Sequence, residues 1–297
     1  MTETQVPVPQ KPAPAVEASP EHERNSDITV IRPASSWPQI QFNELWRYRG
    51  LLGVFVWRDL KVRYKQTVIG VAWALFQPLF TALVYTFVFG RFAKFPSENL
   101  PYPIFAYAGV LAWQYFSSSF NQATSSVVGN VPLVTKVYFP RLLLPIGGVL
   151  VPLVDLTLSL TVLAGMMVWF GVVPSALILL SPLFIALALV TALGAGLALS
   201  AMTVRYRDVP YAIPLFMQVL PFLSGVMYSL TALPEKWQWV LAFNPLTAVV
   251  TGWRWTVLGG FSPNPGQLAI SVAMAFAMLA VGLAYFRRSE PRFADTI

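Results

Sequence analysis

The chain has 297 residues, of which 56% are hydrophobic and only 11% are charged, whereas soluble domains carry about 25% charged residues. Its formal net charge is +7, and it has no cysteine and a single histidine, His22, in a polar N-terminal stretch. This composition excludes disulfides and thiol chemistry, argues against zinc or imidazole chemistry and predicts a helical membrane protein.

The first 66 residues divide into two stretches of different composition. Residues 1–40 repeat proline among Glu, Gln and Ala, which predicts a disordered cytoplasmic tail. No basic segment followed by an apolar core opens the chain, so we expect no cleavable signal peptide. Residues 41–66, with Asn43 as a capping residue, predict an amphipathic helix at the membrane interface. Four cations fall close to one face of this helix: Arg47, Arg58, Lys61 and Lys65.

Long apolar runs predict six transmembrane helices, because about 20 residues cross the hydrocarbon core of a bilayer. Their approximate bounds are 68–90, 104–128, 142–170, 176–204, 211–229 and 267–286. The second span is rich in Gln, Asn, Ser and Thr, so we expect it to face other helices or a wet cavity. The fourth carries small residues at every fourth position, which lets another helix approach closely; these are Ala188, Ala192, Gly196 and Ser200.

Asp155 lies near the middle of the predicted third span. A charge at such a position suggests a function by default, and a proton relay is one possibility. A relay needs a chain of titratable groups, and the sequence offers none. A structural ion pair or hydrogen bond to another helix is therefore the favoured interpretation.

The segment 233–260 is apolar and rich in tryptophan, but Asn244-Pro245 interrupts it and Arg254 follows. With six spans and both chain ends inside, sixteen of the twenty Lys and Arg residues lie on cytoplasmic segments, as the positive-inside rule requires. We therefore predict that this segment is a re-entrant helical hairpin on the outer side. The predicted fold is an all-α membrane protein with a transmembrane domain at 67–287 and a cytoplasmic tail at 288–297.

The sequence contains no recognisable catalytic pattern. It lacks the phosphate-binding loop G-x-x-x-x-G-K-[ST] and the metalloprotease motif H-E-x-x-H, and its carboxylates are scattered. Aromatic residues do share faces of spans one and five: Trp73, Phe76, Phe80 and Phe87, and then Phe216, Phe222 and Tyr228. Such faces can stack on sugar rings, although periodicity alone favours lipid-facing or packing stripes.

Four short patterns follow one another along the chain. They are Tyr64-Lys65-x-Thr67-x-x-Gly70-x-x-Trp73-x-x-x-x-Pro78, Asn130-x-x-Leu133-x-x-Lys136-x-x-Phe139-Pro140-Arg141-x-x-x-Pro145, Arg205-x-Arg207-Asp208, and Asn244-Pro245 followed by Arg254 and Leu258-Gly259. In this order, and over about residues 43–286, they resemble the membrane subunit of ABC-2-type polysaccharide exporters, the O-antigen, capsule and teichoic acid permeases.

The resemblance implies an ATP-driven exporter in the bacterial cytoplasmic membrane that moves a polysaccharide linked to a polyprenyl pyrophosphate, such as O-antigen in lipopolysaccharide biosynthesis. Two copies of the chain would form a channel. Two copies of a separate ATPase subunit would bind ATP and Mg²⁺. On this chain itself, the resemblance leads us to expect no catalytic residue, cofactor, metal ion or nucleic acid.

The resemblance also implies roles for particular residues. A coupling segment at 129–141 would dock on the ATPase through Asn130, Leu133, Lys136, Phe139 and Arg141. The aromatic residues of spans one and five would line the substrate path, and the outer gate would include Asn244, Pro245 and Arg254. Charge and position suggest that the pyrophosphate is attracted, as the lipid enters, by Arg58, Lys61, Arg63 and Lys65.

Three alternatives remain open at the level of sequence. One is an ABC-2 permease for a drug or a lipid, which would favour a compact cavity over a long groove. The second is a membrane-embedded glycosyl or acyl transferase, against which the scattered carboxylates argue. The third is a passive channel or scaffold, which would need no ATPase.

Overall fold

A computed structural model of the chain describes residues 42–65, 70–174 and 176–293. The predicted tail at 1–40 lies outside these residues, as does the end of the predicted C-terminal tail. Throughout the described ranges the chain forms helices joined by turns, without a strand. The predicted all-α class is therefore confirmed.

Twelve α-helices follow one another in the described residues. They are α1 (Phe42–Arg47), α2 (Arg49–Tyr64), α3 (Gly70–Tyr85), α4 (Tyr102–Ser125), α5 (Val131–Lys136), α6 (Leu143–Leu150), α7 (Pro152–Phe170), α8 (Ser181–Arg205), α9 (Val209–Leu223), α10 (Glu235–Leu241), α11 (Pro245–Leu258) and α12 (Pro265–Ser289). A π-helical segment, Thr86–Phe92, continues α3, and short 3₁₀ turns precede α5 and α8 and follow α12.

Four helical segments among the described residues are long and apolar enough to cross a membrane. They are Ala72–Phe92, Leu143–Phe170, Ala176–Arg205 and Pro265–Arg292. They coincide with the predicted first, third, fourth and last spans. The helix α4 has 24 residues, enough for about 36 Å, but is more polar, and α9 has only 15 residues.

Several helix boundaries differ from the sequence prediction. The predicted interface helix is broken at Tyr48 into α1 and α2. The predicted fifth span ends at Leu223 and not at 229, because Gly225 has a φ of +67°, which an α-helix cannot continue through. Pro152 has no N–H to donate and separates α6 from α7. Asp155 lies in the first turn of α7 and, as predicted, near the middle of the membrane-length segment Leu143–Phe170.

The helix α4 is the centre of the bundle. It packs against α3, α6, α7, α8 and α11, and fifteen of its residues are buried. Its N-terminal half, from Ile104 to Ala112, is buried almost completely. Of the two surroundings predicted for this polar helix, other helices or a wet cavity, the first is seen, because apolar positions and three Tyr or Ser hydroxyls point into the bundle.

Small residues set the close approach of α8 to its neighbours. The predicted stripe on α8 is buried, and a Cβ on Gly196 would lie 2.5 Å from the Cβ of Ala123 on α4. A Cβ on Gly194 would lie 2.6 Å from the backbone nitrogen of Leu279 on α12. The backbones of α8 and α12 therefore touch at Gly194, as small-residue packing in membranes allows.

Candidate functional site

One side of α4 carries polar residues at a spacing of three or four. We define the α4 stripe as Gln114, Ser117, Ser118, Asn121 and Ser125, all of which are half-exposed or exposed. Asn121 Nδ2 donates to the Ser117 carbonyl and Ser125 Oγ donates to the Asn121 carbonyl, each at 2.8 Å. The exposed amide and hydroxyl groups can also bind water or a polar ligand.

The α4 stripe forms the floor of a polar groove. Gln114 and Ser118 line a cavity of about 200 Å³ together with Gln77 and Thr81 of α3 and Asp155 of α7. On the other side, Ser117 Oγ lies 3.9 Å from the sulfur of Met217 on α9. The stripe thus runs between α3 and α9, the two helices for which the sequence predicted aromatic substrate-facing residues.

The predicted aromatic path residues on α3 are not part of the subunit's own core. Trp73, Phe76 and Phe80 form a series with ring centroids 5.9 and 5.7 Å apart, and each is at least half exposed. Phe87 is also exposed and packs edge-to-face on Phe92 at 4.9 Å. These side chains are available to lipid, to a second copy of the chain or to a substrate.

The aromatic residues predicted from span five separate into two groups. Phe216 and Phe222 are exposed on α9. Tyr228 lies beyond the end of that helix, where its hydroxyl donates to the Phe222 carbonyl at 2.7 Å and its ring meets Phe95 at 6.2 Å. Tyr228 therefore connects the turn after α9 to the loop after the π-helical segment.

The four basic residues predicted to attract pyrophosphate have different surroundings. Arg58 pairs with its neighbour Asp59 at 2.8 Å. Arg63 pairs with Asp155 of α7 at 2.7 Å. Lys61 lies over the ring of Trp57 at 5.4 Å, and Lys65 is exposed.

Tyr64 joins the same contact between α2 and α7. Its hydroxyl donates to Asp155 Oδ1, while Asp155 Oδ2 accepts from Arg63. Burial, followed by the hydrogen bond to Asp155, raises the pKa of Tyr64 to about 12. The interpretation of Asp155 as an ion-pair partner of another helix is confirmed.

The predicted coupling residues fall into buried and half-buried positions, with one exception. Phe139 is buried and packs on Phe55 of α2 at 5.5 Å. Asn130 Nδ2 donates to the Ser126 carbonyl at 2.8 Å, and Leu133 packs against the same apolar cluster as Phe139. Lys136 is exposed at the end of α5.

Arg141 binds the C-terminal end of the bundle. Its Nη1 donates to the Glu290 carbonyl at 2.7 Å, and its backbone nitrogen donates to Glu290 Oε1 at 3.2 Å. Its guanidinium lies 5.8 Å from the ring centre of Phe293, which is buried. Phe139 and Arg141 therefore hold the coupling segment in place, and its exposed tip consists of Lys136, Val137 and Tyr138.

The predicted outer-gate residues lie at the start of α11 and within it. Asn244 caps α11, since its Oδ1 accepts from the Leu246 nitrogen at 3.1 Å and its Nδ2 donates to Ser224 Oγ at 3.0 Å. Pro245 occupies the first position of α11. The helix break at Asn244-Pro245 is thus where the sequence predicted it.

Arg254 is buried and holds two other segments. Its Nε donates to the Phe105 carbonyl of α4 at 3.1 Å, and its Nη1 donates to the Gly225 carbonyl at 2.7 Å. Its Nη2 donates to the Val226 carbonyl, and its guanidinium lies 3.8 Å from the centre of the Phe105 ring. One side chain therefore fixes the turn after α9 against α4.

Sequence reasoning missed two carboxylates that tie loops together. Glu98 accepts from the Ser229 hydroxyl and from the Phe261 nitrogen, the latter at 2.8 Å. Glu290 receives Arg141 and also pairs with Arg287 at 3.0 Å. Arg287 is three positions from Glu290, but the other partners lie 131, 163 and 149 positions away in the chain, so no spacing in the sequence could indicate them.

Comparison with known proteins gives the class of this chain. The model of the ABC-2 type transporter family matches residues 50–258, which include the α4 stripe, the coupling segment and Arg254. The chain belongs to the ABC-2 type transporter family and is a transmembrane permease. The resemblance inferred from the four sequence patterns is confirmed.

This chain aligns with nearly the whole length of several known proteins. The O-antigen export system permease protein RfbA of Klebsiella pneumoniae is 28% identical over 83% of this chain and 95% of the relative. A protein with the same name in Myxococcus xanthus is 28% identical over 86% of this chain and 98% of the relative. The polysialic acid transport protein KpsM of Escherichia coli is 24% identical over 78% and 91%, respectively.

Proposed function

We propose that this chain is the transmembrane subunit of an ATP-driven exporter that moves a polysaccharide, linked to a polyprenyl pyrophosphate, across the bacterial cytoplasmic membrane. The observation that carries the proposal is the α4 stripe. Polar groups facing hydrocarbon without partners are costly, so a half-exposed polar stripe on a membrane helix needs water or a polar ligand. A sugar chain presents hydroxyl groups along its length and can exchange hydrogen bonds with such a row. The names of the relatives, O-antigen and polysialic acid exporters, support the same class of substrate.

In the proposed arrangement six segments cross the membrane and both chain ends are cytoplasmic. They are α3 with its π-helical continuation, α4, α6 with α7, α8, α9, and α12. The hairpin of α10 and α11 would re-enter from the outer side. With 15 residues, α9 reaches about 22 Å, less than the hydrocarbon core of about 30 Å. The turn after it, fixed by Arg254, would complete the crossing.

The proposed assembly contains two copies of this chain and two ATPase subunits that bind ATP and Mg²⁺. The exposed aromatic faces of α3 and α9 support a channel that a second copy closes around the α4 stripe. The exposed tip Lys136–Tyr138 supports docking of the ATPase at the coupling segment.

Export of polysaccharide by cells that carry variants of the α4 stripe tests the proposed path. Ser118→Leu and Asn121→Leu remove hydrogen-bonding groups, and we expect each to reduce export about fivefold or more, on the basis of about 1 kcal/mol for each hydrogen bond lost. Thr161→Leu is the matched control, because Thr161 is exposed on α7 and its hydroxyl bonds within the helix to Leu158 at 2.7 Å. Equal export by all three variants would rule out a path along α4.

Copurification with the ATPase encoded nearest to this gene tests the partner. We expect a complex of two plus two subunits, lost in the double variant Lys136→Glu, Tyr138→Ala. Val168→Ala, which changes a side chain exposed on α7, is the control and should retain the complex. If wild type binds no ATPase, the ATP-driven mechanism is wrong. If the double variant binds normally, the tip is not the docking surface.

A further inference from the structure

The contact between α2 and α7 has the composition of an anion-binding site that is already occupied. Asp155 uses one carboxylate oxygen for Arg63, at 2.7 Å, and the other for the hydroxyl of Tyr64. The Asp155 side chain is 17% exposed and the Arg63 side chain 39%, so the contact lies at the surface of the bundle. An anion from outside the chain can reach it without unfolding any helix.

The two donors suit a phosphate better than they suit a carboxylate. A guanidinium binds phosphate oxygens through two parallel N–H groups, and a phosphate offers more charge and more acceptor oxygens than one carboxylate. The phenol of Tyr64, which is seen donating to Asp155 Oδ1, supplies a second kind of hydrogen bond. Arg63 and Asp155 line a cavity of about 200 Å³ together with apolar residues and with neutral polar residues that include Gln77, Gln114 and Ser118.

We propose that Arg63 and Tyr64 bind a phosphate group of the lipid-linked substrate and that Asp155 occupies this site as an internal competitor when the substrate is absent. The inference rests on the proposed function and adds to it the regulation of the site where the lipid enters. Substrate binding displaces the Asp155 carboxylate, and the end of α2 is released from α7. Loading of the substrate is thereby linked to movement of the helix that packs on the coupling segment through Phe55 and Phe139.

Competition by an internal anion makes a quantitative prediction. The apparent affinity for a ligand equals the intrinsic affinity multiplied by the fraction of the protein that is in the binding-competent state. If Asp155 holds the donors in about nine molecules of ten, Asp155→Asn raises the affinity for a pyrophosphate about tenfold. The asparagine keeps the size of the side chain and an oxygen that can accept from Tyr64, but it no longer pairs with Arg63 as an ion.

Asp59→Asn is the matched control. It removes the same charge from α2, the helix that carries Arg63 and Tyr64, at a carboxylate that pairs with Arg58. A general increase in positive charge would act equally in both variants. Only the proposed competition raises the affinity of Asp155→Asn alone.

The experiment measures binding of undecaprenyl pyrophosphate to the purified full-length protein in detergent by intrinsic tryptophan fluorescence. Inorganic pyrophosphate, and phosphatidylglycerol in mixed micelles with the detergent, serve as separate probes. We expect a gain of about tenfold for Asp155→Asn with the lipid pyrophosphate, less than twofold for Asp59→Asn, and loss of the gain when Arg63→Gln is added. A similar gain with inorganic pyrophosphate supports the same site and assigns recognition to the pyrophosphate alone.

Hydrogen exchange over residues 58–65 provides a second measurement, and Asp155→Ser a second variant if Asp155→Asn does not fold. We expect the lipid pyrophosphate to increase exchange in wild type, and the variant to show the increased exchange without ligand. Unchanged or reduced affinity in both Asp155 variants, or equal gains for Asp59→Asn, overturns the proposal. Such a result with an intact ATPase complex leaves the exporter function standing, whereas absence of the ATPase complex refutes that function separately.

Discussion

Replacing Arg254 tests whether one buried side chain holds the turn after α9 in place. Arg254 is 3% exposed, and its three nitrogen atoms donate to carbonyls of Phe105, Gly225 and Val226. Those carbonyls belong to α4 and to residues just beyond α9. Arg254→Met keeps an unbranched side chain, although a shorter one, and removes every donor, and Arg254→Lys keeps the charge but supplies one nitrogen in place of three.

The expected change in the free energy of opening the turn follows from the three carbonyl groups that lose their donors. A buried acceptor that loses its donor costs about 1–3 kcal/mol, and the Met variant gains back the cost of burying a charge. We therefore expect Arg254→Met to favour local opening of the turn by about 3 kcal/mol, which is about a hundredfold in population. Arg254→Lys should have a smaller effect of about 2 kcal/mol.

Cysteine labelling measures this opening directly, because the chain has no cysteine of its own. A single Met227→Cys reporter is suitable, because Met227 is 2% exposed and directly follows Gly225 and Val226, the residues that Arg254 holds. We expect faster maleimide labelling and a lower unfolding temperature with Arg254→Met. Lys236→Met, at an exposed cation of α10, is the control. Unchanged labelling and unfolding in Arg254→Met would refute the role of this side chain.

Three further predictions concern packing and the coupling segment. Gly194→Ala should lower the unfolding temperature, because its Cβ would meet the backbone of α12. Gly165→Ala, with open space around it, should not. Equal effects of the two variants would contradict the close approach of α8 and α12. Phe139→Ala should destabilise the protein by about 3 kcal/mol, measured by thermal unfolding. Tyr138→Ala should leave stability unchanged and reduce the stimulation of the partner ATPase, measured by ATP hydrolysis. Glu290→Ala should reduce the stimulation of ATP hydrolysis and leave the unfolding temperature nearly unchanged. A lower unfolding temperature with normal stimulation would make Glu290 a purely structural residue.

Features of the bundle could be predicted from the sequence where the residues of a single helix indicate them. Apolar runs located four membrane-length helices, and the small residues of α8 identified a packing face now seen against α4. Asn244-Pro245 located a helix break, because an Asn cap and a proline at the first helical position are local signals. Each of these features depends on residues within one or two helical turns.

Contacts between distant parts of the chain could not be predicted in the same way. Tyr64 and Asp155 are 91 positions apart, and Arg141 and Glu290 are 149 apart, so no periodicity connects them. The sequence therefore grouped Arg63 with Lys61 by charge alone. In the structure Arg63 is paired across helices, whereas Lys61 remains exposed.

The α4 stripe explains why hydropathy and packing give different accounts of the same helix. A helix that is polar on one side has a low mean hydropathy, so α4 is not among the four clearly apolar helices, although it lies at the centre of the bundle. Its buried side satisfies packing within one subunit. Its polar side is unfavourable in contact with lipid, because exposed amides and hydroxyls need hydrogen-bond partners at membrane depth. Exposed aromatic residues on α3 and α9 flank the stripe, which is the arrangement expected if a second copy closes the groove around a polar chain.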